Sequence, residues 1–295
     1  MNHPAEVALH TLLQAVASGS GTISDDILDQ VAADVKEALK RQVSSPSRKG
    51  NFKLRVSNLG RPTCQLWYDK NKPEAATPMQ PFFLMQMLIG DVTEAVFKGL
   101  LRAAGVDFGE SETVYLKVGD SEIRGSYDMM LDGAIDDVKS ASPWSYTNKF
   151  DTYEHMEAGD SFGYIAQLVA YAKARGVEVG GWWVLNKSNG EFKYLKANPD
   201  VDKVLKQIEN TVNYINNDEP FKRCFEAEAE TFYGKATGNL VVPDACRFCN
   251  YRKDCWPDVR ELPKLVTKAS TKEGAMTEYV YVAPEHEEKA SKYGS

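Results

Sequence analysis

Apolar residues recur at helical spacing in several long segments of the chain. In residues 24–42, an apolar stripe follows Ser24, a residue type that favours a helix start, and two aspartates occupy the first turn. The same spacing predicts further helices over residues 5–18, 80–104, 161–175 and 199–217. These segments account for most of the helical structure that we expect.

Short alternating segments lie between the predicted helices. Residues 112–118, 121–131 and 133–139 alternate as strands do, with glycine-containing turns between them. Residues 180–197 read as a hairpin around Lys187–Gly190. The order of helices and strands predicts an α/β fold, in which a mixed central sheet is flanked by helices.

The patterns divide the chain into three regions. Residues 1–50 are expected to form a helical appendage, and residues 51–260 the main domain. Residues 261–295 are charged and lose the apolar periodicity, so we expect a mobile tail there.

Composition excludes few classes of protein. The chain is 43% hydrophobic and 26% charged, as ordinary globular proteins are. A net charge of −7 argues against coating nucleic acid by bulk charge, but an enzyme with a local basic groove fits it. No apolar run approaches the ~20 residues that span a bilayer, and the first ten residues do not resemble a signal peptide. We therefore expect a cytoplasmic protein with no membrane partner, in the host cytoplasm if the chain is viral.

Acidic residues and a lysine cluster around the predicted strand 133–139. Asp137 and Lys139 share one strand face, and Val138 points into the core. A turn before this strand would bring Asp128 close to Asp137, and Glu94 lies on the preceding helix. Carboxylates suit hard divalent ions, and a lysine beside them can orient water or offset phosphate charge. The alternative is a strand end with solvated charges.

Two further positions have competing interpretations. Gln167 and Tyr171 lie four residues apart, so they share one helix face, either as functional groups or as edge residues of a half-buried helix. Asp136 reads as a turn residue.

These residues together resemble the motifs of the PD-(D/E)XK nuclease superfamily, and within it the RecB-like exonucleases, over residues 55–257. The matching set is Glu94, Gly125-x-x-Asp128, Asp137-x-Lys139 and Gln167-x-x-x-Tyr171. The resemblance implies a restriction-endonuclease-like core and a nuclease domain over 51–260. It implies that the three acids and the Val138 carbonyl hold Mg²⁺ or Mn²⁺, that Lys139 assists catalysis, and that Gln167 and Tyr171 contact DNA. Many RecB-like members have a histidine where this chain has Glu94 after Gly90.

Three of the five cysteines fall within ten residues, as Cys246-x-x-Cys249 followed by Cys255. Four thiolates suit either zinc or an iron–sulfur cluster. With Cys64 upstream, the layout resembles the iron–sulfur subset of this family, which includes the CRISPR-associated RecB-like exonucleases and the AddB nuclease domain. That resemblance implies a 4Fe–4S cluster joining the two ends of the domain. Cys224 fits no slot in the pattern, and we expect an ordinary buried thiol.

The resemblance implies a metal-dependent deoxyribonuclease, an exonuclease that hydrolyses DNA ends or single strands in recombination, replication or repair of a virus or mobile element. No Gly-x-x-x-x-Gly-Lys-[Ser/Thr] phosphate loop occurs in the sequence, so we expect a separate helicase or recombination protein as a partner. The alternative is a weakly catalytic or non-catalytic adaptor that binds DNA or a partner in a replication or CRISPR-adaptation complex. An oligomer fits either reading.

Overall fold

The computed structural model describes residues 3–43, 52–267 and 275–293. The chain forms two compact units. The first unit contains residues 1–61 and 79–218, and the second contains residues 62–78 and 219–295. The expected boundary between residues 50 and 51 lies outside the described residues.

Helices come first along the described chain, and strands and helices then follow one another in short runs. The helices are α1 Pro4–Ala17, α2 Asp25–Val43, α3 Thr63–Asn71, α4 Pro81–Ala103, α5 Tyr153–Ala158, α6 Tyr164–Arg175, α7 Val201–Asn216, α8 Arg252–Cys255 and α9 Pro284–Ala290. The strands are β1 Thr113–Val118, β2 Ser121–Ser126, β3 Met129–Leu131, β4 Ala134–Ala141, β5 Glu178–Asn186, β6 Phe192–Lys196, β7 Glu228–Phe232, β8 Lys235–Val241, β9 Arg260–Pro263 and β10 Met276–Tyr281. The predicted mixed α/β fold is confirmed at this level.

The first unit is built on a four-stranded mixed sheet in the order β3-β4-β5-β6. Strands β4 and β5 are parallel, and the other two pairings are antiparallel. Ile135 on one face of β4 belongs to an apolar core shared with α6, whereas Val138 on the other face packs in a core with Phe97 of α4. The sheet is therefore covered by α6 on one side and by α4 on the other. Strands β1 and β2 form a separate antiparallel hairpin.

The two N-terminal helices pack on α4 in the same unit. Leu9 of α1 is buried in the core that contains Phe97. A methyl group at Gly99 of α4 would lie 2.0 Å from Val31 Cγ2 of α2, so the glycine permits close contact of the two helices. The region expected to be an appendage therefore shares its core with the sheet, as far as its residues are described.

The second unit carries a four-stranded antiparallel sheet in the order β7-β8-β10-β9. Leu262, Tyr279 and Val282 are buried in its core. The expected mobile tail from residue 261 instead contains most of β9, all of β10 and α9, apart from residues 268–274 and 294–295, which are not described. The pattern concealed this because exposed and half-buried residues fill most of β10, and Tyr279 is its one fully buried position.

No helix within the described ranges combines the length and apolar character needed to cross a bilayer.

Candidate active site

Strand β4 carries Asp137 and Lys139 on one face, and the strand pairing brings Asp128 beside them. Strands β3 and β4 are antiparallel, and Asp128 directly precedes β3. The backbone N–H of Val138 donates to Asp128 Oδ2 over 3.0 Å. Asp137 and Lys139 form an ion pair, and both side chains keep some exposure, 13% and 21% respectively. These groups therefore meet at a partly open position beside the sheet.

Helix α4 brings Glu94 to the same region. A methyl group at Gly90 would lie 3.7 Å from Ser140 Oγ, so the helix passes close to β4 at this glycine. Glu94 lies one turn further along, and Lys98 Nζ donates to its Oε1 over 2.8 Å. Burial raises the pKa of the Glu94 carboxyl, and the nearby charge of Asp128 adds to the rise. Glu94 and Asp128 thus interact electrostatically.

Asp137 and Lys139 perturb each other's ionisation, and the charge of Asp128 acts on both. Burial raises the pKa of the Asp137 carboxyl to about 8, with Lys139 opposing the rise and Asp128 adding to it. Burial lowers the pKa of Lys139, but the charges of Asp137 and Asp128 outweigh it and raise the pKa above the ordinary lysine value. The ammonium form of Lys139 is therefore strongly favoured beside the acids.

Two ammonium groups lie among the acids. Across the described parts of the chain, no group of three or more His, Cys, Asp or Glu side chains is arranged to hold a metal ion. Lys98 contacts Glu94, and Lys139 contacts Asp137. Sequence reasoning missed Lys98, although its spacing of four residues from Glu94 is a usable signal. The role of the Val138 carbonyl stays a prediction.

Helix α6 brings Tyr171 to the acids and Gln167 to the neighbouring loops. Tyr171 is buried, and burial together with the charges of Asp137 and Asp128 raises its pKa. A methyl group at Gly125 would lie 2.6 Å from Tyr171 Cε1, which explains why this position requires a glycine. Gln167 Nε2 instead donates to the backbone carbonyls of Ser57 and Phe162, over 3.1 and 3.3 Å.

The interpretation of Asp136 as a turn residue is wrong. This side chain is 1% exposed and lies within β4. Its carboxylate accepts hydrogen bonds from Gly181 N over 2.8 Å, Trp183 Nε1 over 3.0 Å and the Tyr194 hydroxyl over 3.0 Å. Asp136 therefore supports the strand from inside while Asp137 faces the site. The run of two glycines and two tryptophans at residues 180–183 was the signal available in the sequence, because Gly181 and Trp183 supply two of the three donors.

The cysteines all lie in the second unit. Cys246 and Cys255 are buried in a core with Tyr68, Tyr251 and Trp256. Burial raises the pKa of the Cys246 thiol to about 11, the indole of Trp256 opposes the rise, and the proximity of Cys249 and Cys255 adds to it. All five cysteines are free thiols, and no group of them in the described residues is arranged to hold a metal.

Cys224 differs from its expected character. It is exposed rather than buried. Its Sγ accepts the backbone N–H of Cys64 over 3.1 Å and lies 3.3 Å from Thr63 Oγ1. The early cysteine therefore has Cys224 as its immediate neighbour, a contact that the spacing in the sequence did not indicate.

Comparisons with known proteins place few limits on this site. No protein-family model matches the chain, and no curated protein matches it. Among solved structures, the crystal structure of SSO0001 contains a similar chain. That likeness has a TM-score of 0.37 and 15% sequence identity, and it covers 61% of this chain and 84% of the other. At these values it supports no conclusion about fold or function.

Proposed function

We propose that the protein is a metal-dependent DNA exonuclease with a restriction-endonuclease-like core. One observation carries the proposal: the Asp137–Lys139 pair adjoins Asp128, and Glu94 lies in the same electrostatic environment. Three carboxylates with one protonated amine are the groups that phosphodiester hydrolysis with a divalent cation needs. The resemblance to RecB-like exonucleases supports DNA ends or single strands as substrate, in recombination, replication or repair of a virus or mobile element.

The donor chemistry fits a divalent cation. Burial and the charge of Asp128 raise the pKa values of Glu94 and Asp137 despite their lysine partners, and a divalent cation would offset the repulsion between these acids. Glu94, Asp128 and Asp137 would hold Mg²⁺ or Mn²⁺, with the Val138 carbonyl as a further ligand. Such a cation supplies charge that activates water and neutralises phosphate. Glu94 must leave Lys98 to take part.

The remaining groups position the reactants. Lys139, held as an ammonium group, donates hydrogen bonds to an attacking water or to phosphate oxygens and offsets the negative charge that develops there. Gln167 fixes two loops through their carbonyls, and Tyr171 supports the acids from the core. Both residues would thereby guide the strand toward the reacting phosphate.

The test is a cleavage assay with end-labelled single strands and blunt duplexes in Mn²⁺ or Mg²⁺. We expect digestion from an end that EDTA stops. Lys139→Ala should reduce the rate by roughly 10²- to 10³-fold, because it removes the donor that stabilises developing charge. Asp137→Asn should also remove activity.

A matched control is available on the same hairpin. Asp132→Asn alters an exposed turn carboxylate, 72% exposed, and should cleave at the wild-type rate. Cleavage that survives EDTA, or that proceeds at the wild-type rate in Lys139→Ala, would refute the proposed site.

We also propose a 4Fe–4S cluster held by Cys64, Cys246, Cys249 and Cys255. The buried indole N–H of Trp256 has no conventional hydrogen-bond partner among the described residues, yet it lowers the pKa of Cys246. A buried donor beside a cysteine sulfur fits a cluster ligand, since such donors stabilise the negative charge that the sulfur carries when it binds iron. Anaerobic purification should give a brown protein with visible absorbance and four irons per chain. A colourless protein that contains zinc would support a zinc staple instead.

A second candidate function is a DNA- or partner-binding adaptor in a replication or CRISPR-adaptation complex. The lysine contacts of Glu94 and Asp137 favour it, because the two ammonium groups balance both acids without a metal ion. The cleavage assay separates the two candidates: an adaptor binds DNA but leaves it intact in either metal. A helicase or recombination protein would be the expected partner in either case.

A further inference from the structure

Two cysteines from distant parts of the sequence lie side by side in the second unit. Cys64 is the second residue of α3, and Cys224 lies between the end of α7 and the start of β7 along the chain. The backbone N–H of Cys64 donates to Cys224 Sγ over 3.1 Å, and Thr63 Oγ1 lies 3.3 Å from the same sulfur. Pro62, before the helix, provides no side-chain cap. The Cys224 sulfur therefore takes the place of a capping group at the start of α3.

The side chains of the two cysteines also contact each other. A hydrogen bond with Cys224 is the largest influence on the Cys64 thiol and raises its pKa. Cys255 acts on Cys64 through charge alone, and more weakly. A disulfide requires two sulfurs that can approach to about 2 Å. Because the two thiols are already in contact, Cys224 is the cysteine best placed to form such a bond with Cys64.

The segment before Cys224 is held in place by contacts on two sides. The ring of Phe221 lies against that of Trp67 in α3, with ring centres 5.1 Å apart. Arg223 Nη2 donates to the backbone carbonyl of Cys255, the last residue of α8, over 2.6 Å. These contacts tie the segment to both helices, so the position of Cys224 is fixed by its neighbours.

The two sulfurs differ in their access to solvent. Cys64 is 8% exposed, whereas Cys224 is exposed. A dissolved oxidant therefore reaches Cys224 first, and the Cys64 sulfur is reached from Cys224 rather than from solvent. An accessible thiol beside a second thiol that can resolve its oxidised form is the usual arrangement in redox-sensitive proteins.

We propose that Cys224 is a site of oxidative modification by low-molecular-weight disulfides such as oxidised glutathione, and that it then forms a disulfide with Cys64 when no cluster is bound. The first step joins Cys224 Sγ to one glutathione sulfur, and the other glutathione leaves as a thiol with the proton from Cys224. The Cys64 sulfur then displaces the bound glutathione, which leaves as a thiol with the proton from Cys64. The two cysteines thereby lose two electrons, and one glutathione disulfide becomes two thiols.

The disulfide and the proposed cluster exclude each other, because both need the Cys64 sulfur. In a chain without a cluster, the disulfide joins the same two stretches of the second unit that the cluster would join. This exclusion rests on the proposed cluster, whereas formation of the disulfide does not. In a reducing compartment the bond forms only under oxidising conditions, and thiols reverse it.

The test compares the full-length protein before and after iron removal by a chelator. Both samples are treated with oxidised glutathione without oxygen and mapped by peptide mass spectrometry under non-reducing conditions. After iron removal we expect a peptide that joins Cys64 to Cys224 and the loss of two of the five thiols. Before iron removal we expect glutathione on Cys224 alone, because the cluster occupies the Cys64 sulfur. Iron-free Cys64→Ser should keep glutathione on Cys224, since no second thiol displaces it.

Two further variants separate the bond from general effects. Cys249→Ser removes a half-buried cysteine of the same unit, and without iron it should form the bond between Cys64 and Cys224 as wild type does. Cys224→Ser keeps an oxygen that can accept the Cys64 N–H. It should therefore keep the wild-type circular dichroism, while Cys64 stays a free thiol after treatment.

Three outcomes decide the matter. If the iron-free wild type leaves Cys64 unpaired, or joins it to another cysteine, the inference is refuted, and a brown protein before iron removal keeps the cluster proposal. If the bond between Cys64 and Cys224 forms in the brown protein without loss of colour, the modification site is confirmed and Cys64 is not a cluster ligand. If the protein never contains iron, the cluster proposal fails, and the peptide map still decides the disulfide.

Discussion

Replacing the buried carboxylate of Asp136 by an amide tests how far this side chain stabilises the sheet. In Asp136→Asn the size is unchanged, but only one of the two terminal atoms can accept hydrogen bonds. Oδ1 receives Gly181 N and the Tyr194 hydroxyl, and Oδ2 receives Trp183 Nε1. Whichever way the amide turns, its NH₂ group meets at least one N–H donor. The variant therefore loses a hydrogen bond and leaves buried donors facing each other.

The expected cost follows from those contacts. A hydrogen bond to a charged group is worth about 1.5–3 kcal/mol, and an unsatisfied buried donor costs about 1–3 kcal/mol. Asp136→Asn should thus lower the free energy of unfolding by roughly 2–5 kcal/mol. That loss is a large fraction of the ~5–15 kcal/mol that stabilises a typical protein.

Urea unfolding followed by far-ultraviolet circular dichroism measures the change without relying on the fluorescence of Trp183, which the substitution itself perturbs. Asp132→Asn, at the exposed turn of the same hairpin, is the control and should shift the midpoint little. An Asp136→Asn protein within about 0.5 kcal/mol of wild type would show that these three contacts contribute little to the stability of the sheet.

Four other substitutions have definite expected results. Gly125→Ala should destabilise the protein by about 1–3 kcal/mol through collision with Tyr171, whereas Gly90→Ala, with room for its methyl in α4, should stabilise it by about 0.5–1 kcal/mol; urea unfolding measures both. Cys224→Ser should keep full iron content if the proposed cluster excludes this thiol, and iron loss would make Cys224 a ligand. His3→Gln should flatten the dependence of stability on pH below about 6.5. Burial lowers the pKa of His3, so the unfolded chain binds the proton more tightly and wild-type stability falls as pH drops through that window.

The helices of the first unit could be predicted because their apolar stripes are long. Segments 80–104 and 199–217 became α4 and α7 with ends shifted by one or two residues. The sheet of the second unit could not, because its strands are short and keep many exposed or half-buried positions. These strands have no continuous buried face, so they lack the regular alternation of apolar and polar residues that predicts a strand. The sequence of this region therefore resembles a charged tail.

At the candidate site, the local sequence pattern predicted the orientation of some side chains correctly and that of others wrongly. Strand alternation placed Asp137 and Lys139 on one face and Val138 on the other, as the structure has them. It misplaced Asp136 because the donors that satisfy this acid come from β5 and β6, more than 40 positions along the chain.

The second unit is assembled from two stretches of chain separated by roughly 140 residues of the first. During translation, the stretch at 62–78 leaves the ribosome long before residue 219 is added. At ~5–20 residues per second the delay is roughly 7–28 s. Throughout that interval Cys64 has been synthesised, but Cys224 and the three late cysteines have not. Any cofactor that these sulfurs share can be inserted only after nearly the whole polypeptide has been made.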